Sequence, residues 1–223
     1  MSQTDQTAVT ALPEQPAAPF IGARDLVLIA IFAGVTAALG LIPPIMVPIS
    51  PVPITAQSLG PLLAGVVLGA KRGFLSQLLL IVLVMIGLPL LAGGRGGIGV
   101  MAGVTVGFIV GWLLTSWFTG FMIYHLGTPY RLWQAVIVTV VASVLLYCVG
   151  IPGMMAIGHL SLRQAVIGNI PFLPGDAVKA VLAALVGYGV HRSYPKLLPA
   201  GWNSHRAVPS VADTTPAATP AGA

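Results

Sequence analysis

Between Asp25 and Asp213 the chain carries a single acidic residue, Asp176, and the residues around it fall into long apolar runs. Only 7% of the 223 residues are charged and 57% are hydrophobic, whereas a soluble domain carries roughly 25% charge. Most of the runs approach the ~20 apolar residues that an α-helix needs to cross a bilayer. The sequence therefore reads as an all-α integral membrane protein. Its net charge of +5 is small, calls for no nucleic-acid partner, and has a topological explanation.

Six spans are expected. The first runs from about Asp25 to Ile42 and stops at Pro43-Pro44. The second, a short one, runs from Thr55 to Ala70, and Lys71-Arg72 separate it from the third, Gly73 to Leu91. Gly93-Gly94-Arg95-Gly96-Gly97 then breaks the chain before the fourth, Gly99 to His125, and Gly127-Thr128-Pro129 makes a turn. The fifth covers Leu132 to Ile151 and ends at Pro152-Gly153. The sixth starts near Pro174, where proline is tolerated because its missing N–H would be unpaired anyway, and reaches Tyr194. An even number of spans puts both termini on one side. Seven basic residues, Arg24, Lys71, Arg72, Arg131, Arg192, Lys196 and Arg206, fall on that side, and two, Arg95 and Arg163, on the other. The excess of Lys and Arg in cytoplasmic loops predicts that both termini are cytoplasmic in the cell membrane. Residues 1–23 and 197–223 are expected to be disordered tails around a bundle spanning 24–196. The first lacks the basic start and apolar core of a signal peptide, and the second is mostly Ala, Pro and Thr.

An ionised side chain in a bilayer costs several kcal/mol, so such residues face a cavity, a partner or a ligand. Asp176 and Lys179 stand at i, i+3 and share one face near a helix start, where a carboxylate also meets the positive end of the helix dipole. They form either a cap plus a neutralising pair, or the polar floor of an outward pocket. In such a pocket Asp176 accepts N–H bonds and Lys179 donates to a carbonyl or carboxylate. Gln57, just inside the second span, is helix–helix glue when alone and a pocket contact beside the Asp–Lys pair. Asn169 suits a turn or a contact. Arg95 points to an anionic ligand or to lipid headgroups. Gln77 reads as structural, and Cys148 as a small buried apolar residue.

Two further features stay open in the same way. Residues 43–53 hold five prolines among mostly apolar neighbours; they form a lid over something apolar or an interfacial loop on lipid. In span one, Ala30/Gly34 and Ala33/Ala37 make small-residue pairs at i, i+4. Such stripes let helices approach closely, inside the bundle or against another membrane subunit.

Catalytic equipment is sparse. One intramembrane acid excludes an aspartyl dyad, and no Gly-x-Ser-x-Gly elbow is present. His125 and His191 lie near the cytoplasmic rim and His159 in an outer loop. Neither Gly93–Gly97 nor Gly65–Arg72 completes a phosphate-binding loop, so no ATP site and no bound cofactor are expected. A proton-coupled carrier would show polar residues along a path; here they cluster at one end.

These motifs resemble the BioY family, the biotin-binding S components of energy-coupling factor (ECF) transporters. Val52-Pro53-Ile54-Thr55-Ala56-Gln57-Ser58-Leu59-Gly60 is similar to the opening of the family's second helix. Leu63 to Gly73, Gly87-Leu88-Pro89 followed by Gly93-Gly94, and Pro174-Gly175-Asp176-Ala177-Val178-Lys179 match in the same order, over roughly Arg24 to His191. The resemblance implies a six-helix S component and no enzyme. Such a protein captures biotin outside and delivers it inward with a transmembrane coupling subunit and two ABC-type ATPases that hydrolyse the ATP. It also implies that Asp176 and Lys179 are the main polar contacts of biotin, with Gln57 assisting, and that Pro53, Phe108 and the first loop supply apolar walls. Ala30, Ala33, Gly34 and Ala37 then resemble the docking face for the coupling subunit. The chain departs from the family at Val104-Thr105-Val106-Gly107-Phe108, where Pro-Thr-Gly-Gly-Tyr is frequent, and at Leu79-Leu80-Ile81, where a tyrosine is frequent.

Overall fold

A computed structural model describes residues 22–127 and 129–194. The tails expected at 1–23 and 197–223 lie outside the described residues, apart from Gly22 and Ala23. The chain forms helices α1 (Ala23–Leu39), α2 (Leu59–Leu68), α3 (Ala70–Met85), α4 (Val106–Leu126), α5 (Leu132–Gly158), α6 (Leu162–Asn169) and α7 (Leu173–Ser193). Short 3-10 turns precede α2, α4 and α7. Among the described residues, extended pairing is limited to two isolated bridges, Ile45 with Ile54 and Leu91 with Arg95. Six helices make an antiparallel bundle, and α6 lies in the last connection. Residues 106–126, 132–158 and 162–193 are each long and apolar enough to cross a membrane, while α1 and α3, at 17 and 16 residues, are about 25 Å long.

Local chemistry moves several boundaries. The break between α2 and α3 falls at Gly69, whose φ of +81° suits glycine. Lys71 and Arg72 therefore sit in the first turn of α3 rather than between spans. The fourth helix starts at Val106, not near Gly99, because Ile98–Ala102 winds as a 3-10 turn. The fifth continues through Pro152 to Gly158 instead of stopping at Ile151. Proline inside a membrane helix is tolerated when neighbours re-satisfy the backbone, and here Gly153 lies directly on Gly107 of α4. The expected last outer loop contains α6, started by a capping box: Ser161 N donates to Gln164 Oε1 at 2.9 Å and Gln164 N to Ser161 Oγ. Asn169 ends this helix and is not a turn residue.

The start of α1 and the end of α7 lie at one rim of the bundle, beside the α2–α3 joint. Arg72 pairs with Asp25 at 2.9 Å, and His191 Nε2 lies 2.8 Å from Val66 O. Nearby, Tyr124 and Tyr130 donate to the carbonyls of Val67 and Ala184. Burial raises the pKa of Tyr130, in the α4–α5 connection, above its ordinary value. Gln77 is fully buried and donates to Thr36 Oγ1 and Ser76 Oγ at 3.2 Å each, a structural tie as expected. One sequence reading is corrected. Cys148 is exposed, on a helix whose outward face also shows Val140, Val141 and Val144. The small residues of α1 share one face by their i, i+3, i+4 and i+7 spacing: Ala33 is buried at 2% exposure and Ala37 packs beside it on the inner edge, whereas Ala30 and Gly34 on the outer edge are exposed.

Gly120 of α4 lies so close to the α2–α3 joint that a Cβ there would collide with Ala70 N and the Gly69 carbonyl carbon. Overpacking of this kind costs about 1–3 kcal/mol. Gly120→Leu is expected to lower the melting temperature of the detergent-purified chain clearly, while Gly34→Ala, with open space around it, leaves it unchanged.

Candidate functional site: a polar-floored cavity

At the end of the bundle opposite that rim, α7 begins with Leu173-Pro174-Gly175-Asp176, which places Asp176 in its first turn. Lys179, one turn on, has its Nζ 2.8 Å from Asp176 Oδ1. The 3-10 turn Ala56–Ser58 brings two more acceptors to the same point: Lys179 Nζ donates to Thr55 O at 2.7 Å and to Ser58 Oγ at 2.9 Å. Ser58 Oγ in turn donates to Asp176 Oδ1 at 3.4 Å, and the Tyr147 hydroxyl of α5 makes a short hydrogen bond to Asp176 Oδ2. A buried ion pair is tolerable only when its remaining protons and lone pairs are met. All three ammonium protons find acceptors here. The carboxylate, with about four lone-pair sites, accepts from three donors. A cap with a neutralising pair would need none of the ties to Thr55 and Tyr147; the pair is a cross-link between three segments.

This cluster floors a cavity whose empty space, its open mouth included, is about 560 Å³. Its walls are apolar: Phe108, Ile109 and Trp112 of α4, Leu146 of α5, Phe172, and Val52-Pro53 of the first loop. That loop is held by paired bonds between Ile45 and Ile54, both 2.9 Å. Val52 is buried against the cavity while Ile45, Met46 and Ile49 are exposed. The segment has both characters open to it in the sequence: its inner side covers the cavity and its outer side is apolar surface.

Arg95 also lines the cavity. Its Nε donates to Ala92 O at 3.2 Å and its Nη1 to Thr105 Oγ1 at 3.3 Å, bonds that use two of five donors. Burial lowers its pKa from the ordinary value, and the guanidinium stays cationic in proteins. Gln57 is 1% exposed and lines the cavity, and its amide makes three of the four hydrogen bonds open to it. Nε2 donates to Thr36 O at 3.1 Å and Leu90 O at 2.9 Å, and Oε1 accepts from Ala92 N at 2.7 Å. Those bonds fix the loop that carries Arg95, so the glue role is the one the geometry displays. Asn169 lies off the cavity wall, buried, with Nδ2 donating to Ala165 O at 2.8 Å.

Of the residues singled out in the sequence, the cavity therefore unites Asp176, Lys179, Gln57, Arg95, Phe108 and Pro53, and leaves out Asn169. Sequence reasoning missed Tyr147, Ser58, Thr55, Thr105 and Trp112. Tyr147 had a signal, a phenol inside a span that needs a buried partner. Among the described residues no group of three His, Cys, Asp or Glu side chains can hold a metal ion.

The sequence profile of the BioY family matches residues 6–196. The chain is 48% identical over 183 residues to "Biotin transporter BioY" of Rhizobium etli, covering 79% of this chain and 97% of that protein. It is 41% identical over 185 residues to "Biotin transporter BioY" of Rhodobacter capsulatus, covering 78% and 97%. Its fold is similar to the crystal structure of the S-component for biotin from an ECF-type ABC transporter, with a TM-score of 0.73 and 28% identity over 79% of this chain and 96% of that one. With this match in sequence and fold around the Asp176–Lys179 cavity, the chain belongs to the BioY family.

Proposed function

We propose that this chain is a biotin transporter, the S component of an ECF-type ABC transporter, and that biotin binds in the cavity floored by Asp176, Lys179 and Tyr147. The observation that carries this reading is the self-satisfied polar cluster at one end of an apolar cavity, in a chain that is 48% identical to a biotin transporter. Biotin is a bicycle with a polar ureido edge and an acidic tail. The ureido N–H groups match the lone pair left on Asp176 and the oxygen of Tyr147. The ureido carbonyl matches Lys179, once it gives up Ser58 or Thr55. The ring and tail lie on Phe108, Trp112 and Pro53, and the carboxylate reaches Arg95, which sits on a different segment from the Asp–Lys pair. Gln57 holds the Arg95 loop. Asn169, off the wall, props α6 and touches no ligand.

The membrane reading extends this. The seven-to-two bias of basic residues supports cytoplasmic termini and an outward cavity. ATP is hydrolysed by two ATPases attached to a coupling subunit, which docks on the exposed pair Ala30 and Gly34. One rival is a stand-alone secondary carrier, for which biotin uptake survives without the ATPases. A second is an S component for another vitamin, whose bound ligand biotin fails to displace. An intramembrane enzyme would release a product.

Asp176→Asn removes a charge-assisted contact worth ~1.5–3 kcal/mol and is expected to weaken equilibrium biotin binding at least about tenfold. Unchanged affinity in a folded variant would return Asp176 to a purely structural role. Tyr147→Phe should weaken binding by about fivefold, as one neutral hydrogen bond is worth ~1 kcal/mol; isothermal titration of the detergent-purified chain measures both. Gly34→Leu is expected to leave biotin affinity intact and abolish ATP-dependent uptake in vesicles. Full uptake by that variant would move the docking face elsewhere.

A further inference from the structure

A groove lies between the start of α3 and the middle of α4, lined by Lys71, Phe74, Leu75 and Trp117. It is a shallow, open groove, about 650 Å³ with the solvent space over it included, and is separate from the biotin cavity. Lys71, Phe74 and Leu75 share one face of α3 by their i, i+3 and i+4 spacing. On α4, Trp117 is 45% exposed and stacks on Phe121, which stacks on His125, with ring centroids 5.4 and 5.7 Å apart. An aromatic edge therefore runs from the groove to the rim. Trp117 lies nine residues before the end of α4, about 14 Å of helix, which is roughly half of a ~30 Å hydrocarbon core. Lys71, the second residue of α3, lines the groove at the helix start, the end at which a lysine can reach the membrane interface.

Depth, lining and charge fit one kind of molecule. The walls are apolar and aromatic from mid-leaflet to the rim, which suits a hydrocarbon chain. Lys71 lines the mouth, and the same rim of the bundle carries Arg24, Arg72 and Arg131, so basic residues predominate there. Basic pockets between membrane helices on such a face recognise anionic headgroups. We propose that this groove binds one anionic glycerophospholipid, its phosphate on Lys71 and an acyl chain along Phe74, Leu75 and Trp117.

The test is native mass spectrometry of the purified chain after exposure to equimolar dioleoyl phosphatidylglycerol and dioleoyl phosphatidylcholine. Wild type is expected to retain the anionic lipid at least about fivefold over the zwitterionic one. Lys71→Gln should bring the ratio close to one, Lys71→Arg should restore it, and Trp117→Ala should reduce retention of both lipids. Biotin affinity, which does not depend on Lys71, checks that each variant is folded. Equal retention by wild type, or a preference that survives Lys71→Gln, overturns the proposal. So does a Leu75→Cys variant that cross-links to the coupling subunit in the assembled transporter, since the groove would then hold a protein.

Discussion

The buried ion pair of Asp176 and Lys179 organises one whole end of this molecule. A carboxylate and an ammonium brought out of water attract each other strongly, but their desolvation outweighs that attraction unless every remaining proton and lone pair is met. The chain meets them with groups drawn from far apart: Thr55 and Ser58 ahead of α2, and Tyr147 of α5, 124, 121 and 29 residues away from their partners. Supplying those groups fixes where α2 begins relative to α7, and how far along α5 the bundle must extend. The floor of the cavity and the packing of three helices are thus one problem with one solution.

The opposite wall is held by neutral hydrogen bonding. Gln57 spans α1, the second helix and the loop after α3 with three bonds from one amide. In a medium without water each of those backbone groups would otherwise stand unsatisfied, at a cost of several kcal/mol. The cavity therefore combines an ionic floor with an amide-pinned rim, and the apolar surface between them comes mainly from α4, whose Phe108, Ile109 and Trp112 fill one side.

What the sequence made legible depended on how local the physics was. Membrane spans could be read because charge is so scarce that Lys71-Arg72 and Arg95 mark their ends. The Asp176–Lys179 contact could be read because i, i+3 is a neighbour relation on any helix. Gln57 was visible as an important amide, but its partners lie 21, 33 and 35 residues away, and no spacing rule names them. Pro152 was misread as a terminator, since only the approach of Gly107 to Gly153 shows why the helix runs on. The two small-residue pairs of α1 looked equivalent because a stripe carries no information about which side of a helix faces the core. α6 was readable from Ser161 and Gln164, and was missed where a loop had been assumed.

The completeness of the polar cluster bears on how a guest can enter. A ligand arriving at Lys179 or Asp176 finds few idle groups, so most polar contacts it gains replace contacts the protein already had. The polar exchange is close to neutral in number, and the driving force shifts to the aromatic and aliphatic surface that loses water. Association of this kind is marked by a large negative change in heat capacity. On the proposed reading, the polar floor acts as a filter more than as an adhesive. An analogue that displaces Ser58 or Tyr147 without matching their geometry leaves an ion half-solvated in a dry site, and is rejected for what it breaks.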